Sequence, residues 1–292
     1  MSFASAGVIG WPVAHSKSPL IHRFWLAKLG IDGDYGRFPV APERLGEAIR
    51  ALPALGLRGV NVTVPHKVAV MAHLDHVDDL AAEIGAVNTV VIENGRLVGL
   101  NTDSDGFHSP LKSWRAEVEA ANAGSHLYLI GTGGAAQAIA HGWGSEITVF
   151  GRDLAKAERL AVVSGRAGDV VHFASLDDLR RPSGDSGAPS PSDPRADGGP
   201  VRYLVVNATT LGMRGQPPLH VDLDRYPDNT LVYDIVYSPL ETPLLGAARA
   251  RGLRTIDGLA MLIGQAAAAF ELFFGAPAPR EHDAELRALL TV

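Results

Sequence analysis

The 292-residue chain is long enough for two ordinary domains with buried cores, and its 46% hydrophobic and 20% charged residues are those of a soluble globular protein. A net charge of −6 without any Lys/Arg run offers no footprint for a nucleic-acid backbone. The absence of cysteine excludes disulfides, cysteine-ligated zinc and thiol nucleophiles, and fits an intracellular, cytoplasmic protein. The start, "MSFASAGVIGWP", lacks the charged and apolar stretches of a signal peptide.

In chain order, "AGVIG" reads as a short strand, "SPLIHRFWLAKLG" as a helix stopped by glycine, and "GDYGRFPV" as a second strand. "PERLGEAIRALPALG" reads as a second helix, and "RGVNVTV", with its alternating β-branched residues, as a third strand. "VAVMAHLDHVDDLAAEIG" reads as one helix, and "AVNTVVIENGRLVGLNTD" as two strands around an Asn-Gly turn. A helix from about Ser104 leads to "HLYLIG", "GGAAQAIAHGWG", "EITVFG" and "LAKAERLAVVSG". That β-α-β-α series predicts a parallel sheet covered by helices on both faces. "YLVVNAT" and "TLVYDIVY" continue the strands, and helical segments close the chain from Pro243 onward. The late apolar segment "GLAMLIGQAAAAFELFFG" carries Gln265 and Glu271 and reads as a buried helix, not a membrane span. Residues 181–200, "RPSGDSGAPSPSDPRADGGP", have too little apolar surface to offset the entropy of ordering and read as a mobile loop within a domain.

"LYLIGTGGAAQAIA" carries the first chemical signal. A strand runs into Gly131, Thr132, Gly133, Gly134 and Ala135, with Ala136 where a third small residue packs helix on strand. The following helix N-terminus offers free N–H groups to a pyrophosphate, so the pattern predicts dinucleotide binding. The next strand ends in Gly151, Arg152 and Asp153, with Lys156 one turn on. A carboxylate there suits the ribose of NAD and an arginine the 2′-phosphate of NADP. Arg152 and Lys156 favour NADP; Asp153 leaves NAD open and reads equally as a helix cap.

The second signal is a set of polar residues on loops and strand ends. Ser18, before Pro19, would cap a helix, which leaves Ser16 unexplained. Asn61 and Thr63 share one face of a valine-rich strand, and Pro65 ends that strand just before Lys67. Asn88 stands among valines, and Asn101 and Asp103 end the strand "VGLNTD". Hydroxyls and amides with one lysine and one aspartate suit a small polyhydroxylated acid, and no metal is called for.

These motifs, in this order, resemble the shikimate dehydrogenase family: "GWPVAHSKSPLIH", "GVNVTVPHK", "GAVNTVV", "GLNTDSDG", "GTGGAAQA", "NATTLGM", "YDIVYSPLETPLL" and "DGLAMLIGQAAAAFELFFG". The resemblance spans Gly7 to Pro279 and implies NADPH-dependent reduction of 3-dehydroshikimate to shikimate. It implies an α/β substrate domain of residues 1–103 and 240–292, completed by C-terminal helices, and a Rossmann-type dinucleotide-binding domain of residues 104–239. It further implies Lys67 and Asp103 as the catalytic pair, and Ser16 and Ser18 as holders of the substrate carboxylate. Asn61, Thr63, Asn88, Asp103, Tyr237 and Gln265 become the other substrate contacts. Gly131 to Ala135 become the pyrophosphate loop, Asn207, Thr209, Met213, Ile235 and Gly258 the nicotinamide lining, and Asp79 a further cofactor position. The family's usual Asn-Arg-Thr after the second Rossmann strand is Gly151-Arg152-Asp153 here, which removes two partners of a 2′-phosphate and adds a repelling charge. Two other readings stay open: a quinate or quinate/shikimate dehydrogenase using NAD, and a non-catalytic dinucleotide sensor. Lys67 could act as general acid/base or as a fixed positive charge on the developing alkoxide. Monomer and homodimer both fit.

Overall fold

The computed structural model describes residues 3–163, 171–176, 179 and 200–291, so the loop read at 181–200 lies, but for its last residue, outside the described residues. The chain divides into two units, Met1–Gly106 with Leu262–Val292, and Phe107–Met261.

The first unit is built on a six-stranded sheet of β1 (Ala4–Gly10), β2 (Gly33–Pro39), β3 (Leu57–Val62), β4 (His76–Val77), β5 (Thr89–Glu93) and β6 (Arg96–Leu100), in the order β2-β1-β3-β5-β6-β4. β1 runs parallel to both neighbours, whereas β5 is antiparallel to β3 and β6. Asn94 and Gly95 both have positive φ, as the tight β5–β6 hairpin demands. Alternation along β1 sends Ala6 and Val8 toward Tyr35, Ala269 and Phe273, while Ile9 joins Ile49, Val60 and Val90 in a second core. Helices α1 (Ser18–Leu29), α2 (Leu45–Ala51) and α3 (Asp79–Ile84) connect these strands.

Two expected helices are shorter than their sequence suggests. Pro42–Arg44 forms a 3₁₀ turn, and α2 stops at Ala51; Leu52 keeps helical angles, but Pro53 has no N–H with which to extend the ladder. The stretch 68–85 is not one helix: a 3₁₀ turn, Ala69–His73, is followed by β4 and then α3. Asp78 is the cause at the helix start, because its extended backbone and a side chain accepting from the Ala81 N–H at 2.8 Å set the N-cap there.

The second unit carries β7 (Gly124–Ile130), β8 (Glu146–Phe150), β9 (Val171–Ala174), β10 (Val201–Asn207), β11 (Leu231–Asp234) and β12 (Arg254–Ile256), all parallel, in the order β12-β11-β10-β7-β8-β9. Counted from β7 this is the 3-2-1-4-5-6 order of doubly wound dinucleotide-binding sheets, with its reversal between β7 and β10. Leu129, Val206 and Tyr233 lie in one cross-strand row and face one core; Tyr128, Val205 and Val232 lie in the next and face the other. Strands buried on both faces read as continuous apolar runs, which is why they are plain in the sequence. Helix α4 (Asp103–His108) begins in the first unit and ends in the second, whose own helices are α5 (Lys112–Ala120), α6 (Gly134–Ala140), α7 (Leu154–Val163) and α8 (Pro243–Ala250).

β12 interrupts what reads as purely helical sequence after Pro243. Because α8 and β12 pack with β11, the return to the first unit comes at Leu262 and not at residue 240. It falls within α9 (Gly258–Phe274), whose Ala269 and Phe273 complete a core of the first unit, and α10 (Asp283–Leu290) ends the chain. Among the described residues no helix is long and apolar enough to cross a membrane.

Candidate active site

Lys67 stands on a mount pinned at four points. Beyond β3 the Thr63 N–H donates to Ile9 O at 2.9 Å, and the His66 N–H closes the turn onto Thr63 O at 3.0 Å. The buried His66 ring sits 2.7 Å from Val40 O, and the Lys67 carbonyl accepts from the Val87 N–H at 2.8 Å. Pro65 lies inside this braced turn, three residues past the end of β3 and not at the strand end expected of it, and the turn aims the ammonium. That ammonium donates to Asp103 Oδ2, and only 17% of the lysine side chain and 6% of the aspartate side chain are exposed.

Asp103 is the first residue of α4, and Asn101 sets its place by accepting from the N–H groups of Asp103 (3.0 Å) and Ser104 (3.4 Å). Asn101 also donates to Ala86 O at 2.8 Å. The other oxygen of Asp103 accepts from Asn88 Nδ2 at 2.8 Å. Asn61 is buried, receives the Tyr35 hydroxyl on Oδ1 at 2.6 Å, and donates from Nδ2 to Thr89 Oγ1 and Asn88 O. Three buried amides, Asn61, Asn88 and Asn101, held by these bonds form a rigid polar wall.

Ser16 Oγ donates to Ser18 Oγ at 3.2 Å and accepts from the Ser18 N–H at 3.3 Å. The helix-cap reading of Ser18 gives way here: Lys17 is the N-cap of α1, without a side-chain cap bond, and Ser16 serves the orphan N–H. The Arg37 guanidinium holds Ser16 O at 3.0 and 2.6 Å, and Lys17 Nζ reaches Leu290 O. Gln265 is buried on α9 with Nε2 on Leu262 O at 2.8 Å, and Thr63 is half-buried one residue past the strand expected to contain it.

In the second unit, the residues expected on the nucleotide side lie after the ends of its strands, on both sides of the sheet reversal. Gly131 follows β7 with φ +117°, and a Cβ there would lie 3.0 Å from Thr209 Cγ2 and 3.1 Å from Ala208 O. Gly133, by contrast, faces open space: nothing stands within 4 Å of where its Cβ would be. Gly133 caps α6 without a side-chain bond, and Ala136 is fully buried behind it. A turn with free N–H groups and an open cradle that a Cβ would fill fits a pyrophosphate. Thr132, Gly134 and Ala135 complete that turn, half-buried.

At the end of β10, Asn207 accepts from the Thr209 N–H (3.0 Å) and hydroxyl (2.7 Å) and donates to Asp234 Oδ1 at 2.9 Å. Asp234 also accepts from the Val236 N–H and the Thr242 hydroxyl. Burial pushes its carboxyl up to about 6, against the pull of those bonds. A Cβ on Gly258 would stand 2.4 Å from Ile235 O, so only glycine lets these two backbones approach so closely. Met213 closes a turn onto Thr210 O at 3.1 Å, and Tyr237 is half-buried beyond β11. After β8, Gly151 is buried and Arg152 exposed. Asp153 caps α7 by accepting from the Lys156 N–H at 3.1 Å, with Lys156 Nζ 3.4 Å from the same carboxylate. Asp79 is exposed in the first turn of α3 and belongs to the first unit.

Tyr35, His66, Thr89 and Thr102 are the supporting residues that sequence reading passes over. A lone tyrosine in an edge strand and threonines beside asparagines carry no signal until their partners are known.

A doubly wound sheet with that glycine turn, in a chain whose other unit presents a lysine–carboxylate pair among buried amides, defines the class of dinucleotide-binding α/β enzymes. Comparison narrows it. Residues 8–90 match the shikimate dehydrogenase substrate binding domain, and residues 258–285 the shikimate 5′-dehydrogenase C-terminal domain. The shikimate dehydrogenase (NADP(+)) of Sphingopyxis alaskensis is 49% identical, over 98% of this chain and 96% of its own. A crystal structure of a shikimate dehydrogenase in complex with NADP+ superposes with a TM-score of 0.83 at 34% identity, covering 99% of this chain and 96% of that one. The quinate dehydrogenase of Corynebacterium glutamicum in complex with NAD gives a TM-score of 0.80 at 30% identity, covering 99% of this chain and 100% of that one. The chain belongs to the shikimate dehydrogenase family.

Proposed function

We propose that the chain catalyses the reversible NADPH-dependent reduction of 3-dehydroshikimate to shikimate, on the strength of family membership and of one observation above the rest. That observation is the Lys67–Asp103 pair, mostly buried and braced from both sides. A sensor that only binds a dinucleotide has no use for it. NADPH, when bound, supplies the hydride. Its pyrophosphate suits the Gly131–Ala135 turn, its 2′-phosphate Arg152 and Lys156, and its nicotinamide the Asn207, Thr209, Met213, Ile235 and Gly258 region.

The chain's own residues handle the rest. Ser16 and Ser18 donate to the substrate carboxylate, and Asn88, Thr63 and Gln265 orient the ring hydroxyls. In the reductive direction Lys67 Nζ gives a proton to the carbonyl oxygen as the carbonyl carbon gains the hydride, and it recovers that proton in reverse. Asp103 holds the ammonium on target, so orientation and charge act together at one atom.

A second reading, an enzyme oxidising quinate with NAD, is favoured by Asp153 beside Arg152. Initial rates with shikimate or quinate, each with NADP or NAD, separate the two. Fast NADP-linked shikimate oxidation, lost in Lys67→Ala while NADP still binds, is the expected result. Turnover confined to quinate and NAD would move the activity to the second reading, and no turnover with any pair would leave only a dinucleotide binder.

A further inference from the structure

Asn207 stands in the stretch read as the nicotinamide lining, yet its side chain is fully buried and every bond it can make is already used. Its Oδ1 accepts from the Thr209 N–H at 3.0 Å and the Thr209 hydroxyl at 2.7 Å. Its Nδ2 donates to Leu211 O at 3.0 Å and to Asp234 Oδ1 at 2.9 Å. A backbone N–H can only donate, so the amide cannot be turned round: its oxygen faces Thr209 and its nitrogen faces Asp234. Thr209 Oγ1 accepts in turn from the Leu211 N–H at 3.0 Å. The chain from 207 to 211 is wrapped around one amide that has nothing left with which to meet a ligand.

Asp234, the last residue of β11, holds that amide from outside the turn. It is fully buried, and donors from three stretches of chain converge on it: Asn207 Nδ2, the Val236 N–H at 3.0 Å and the Thr242 hydroxyl at 2.7 Å. Thr242 Oγ1 also accepts from the Leu245 N–H at 3.3 Å as the cap of α8, which leaves its proton for Asp234. Three inward donors suit an ionised carboxylate, which accepts on both oxygens and donates nothing. Between Asp234 and Val236, the Ile235 N–H donates to Asn207 O at 3.2 Å. Further on, the Arg214 N–H donates to Ser238 O at 2.8 Å, so the end of the Met213 turn is tied to the residue after Tyr237.

We propose that Asp234 is a positioning residue for the nicotinamide end of the cofactor. Having no exposed surface, it acts through Asn207 and Val236, which fix the two stretches that carry Thr209, Met213 and Ile235. The inference rests on the reading that those stretches face the nicotinamide. It gives Asn207 the part of a scaffold and leaves the contacts to its half-buried neighbours. Were Asp234 needed only to end β11 and cap α8, its loss would weaken every part of the nucleotide site alike.

The test is titration calorimetry at pH 8, where the Asp234 carboxyl, pushed up to about 6 by burial, is ionised. The ligands are NADP and 2′-phospho-ADP-ribose, which is NADP without its nicotinamide ring. Asp234→Ala should raise Kd for NADP about tenfold and leave Kd for 2′-phospho-ADP-ribose within about twofold of the parent. Asp234→Asn keeps an oxygen for Asn207 and Val236 and turns its nitrogen to Thr242, so it should restore NADP binding to within about threefold of the parent. Equal weakening of both ligands, unchanged NADP binding in Asp234→Ala, or an Asp234→Asn variant as weak as Asp234→Ala would each overturn the inference. If Asp234→Ala does not fold, amide hydrogen exchange on the parent replaces it. The Thr209, Leu211 and Val236 amides should exchange more slowly with NADP than with 2′-phospho-ADP-ribose, and equal rates overturn the inference. A parent that binds NADP without oxidising shikimate brings down the functional reading alone, and an active parent whose variants weaken both ligands equally brings down this inference alone.

Discussion

Asn88 is oriented by the backbone of Thr102: with its Oδ1 2.8 Å from the Thr102 N–H, the amide nitrogen is the atom left 2.8 Å from Asp103 Oδ1. Asn88→Asp would replace that donor with a second carboxylate against Asp103. Like charges in a partly buried site disfavour each other, so kcat for shikimate oxidation should fall on the order of a hundredfold with NADP affinity unchanged. Asn88→Ala should instead strand the Thr102 N–H and cost about 1–3 kcal/mol in thermal stability as well. Steady-state kinetics beside thermal melts check both, and an Asn88→Asp variant with parental kcat would remove Asn88 from the reaction.

The two glycines of the nucleotide turn should separate folding from binding. At Gly133 a methyl group meets open space and φ is an ordinary −84°, so Gly133→Ala should melt with the parent. The same methyl fills the cradle, and KM for NADP should rise tenfold or more. Gly131→Ala forces a side chain onto φ +117° and against Ala208 and Thr209, costing roughly 1–3 kcal/mol besides. Equal melting losses in both variants, or an unchanged KM in Gly133→Ala, would contradict the cradle.

Asp153 is engaged as the cap of α7 and sits 3.4 Å from Lys156 Nζ, so part of its charge is already answered. Asp153→Ser keeps a capping oxygen and removes the charge. With the repulsion gone and Lys156 released, the ratio of kcat/KM for NADP over NAD should increase several-fold, and Arg152→Ala should lower it. Measured with both cofactors at fixed shikimate, a ratio unmoved by either change would place 2′-phosphate recognition elsewhere.

The parts of this molecule legible in its sequence are those where one residue type answers one physical demand. The glycine turn at 131–135 is legible because only small residues admit a close backbone approach, and Asn61 and Asn88 stand out because polar groups among valines need partners, whereas Lys67 is picked out only by the family resemblance. Tyr35 is not legible: its partner Asn61 is 26 residues away, and aromatic residues in strands ordinarily mean packing. β4 and β12 are invisible for a different reason, being two- and three-residue edge strands held by their neighbours' ladders and not by any pattern of their own.

His22 gives the last prediction. Its ring is fully buried among Trp25, Tyr35 and Phe270, and desolvation pushes its pKa down to about 3 from 6.5. The unfolded chain therefore takes up a proton below pH 6.5 that the native first unit refuses, so stability is fully present above about 6.5 and is lost as pH falls toward 3. Burial of His108, pushed down to about 4, acts in the same sense. Asp234, raised to about 6 from 3.8, acts oppositely, because there the native state holds the extra proton between those values. His22→Phe removes the first of these without emptying the stack on Tyr35. Its stability at pH 7 should stay within about 1 kcal/mol of the parent, while the loss between pH 6.5 and 4 shrinks by roughly 3 kcal/mol. Urea unfolding followed by tryptophan fluorescence at half-unit pH steps reads this directly. A variant whose stability falls with acid as steeply as the parent's would show that His22 takes up its proton without unfolding the core around it.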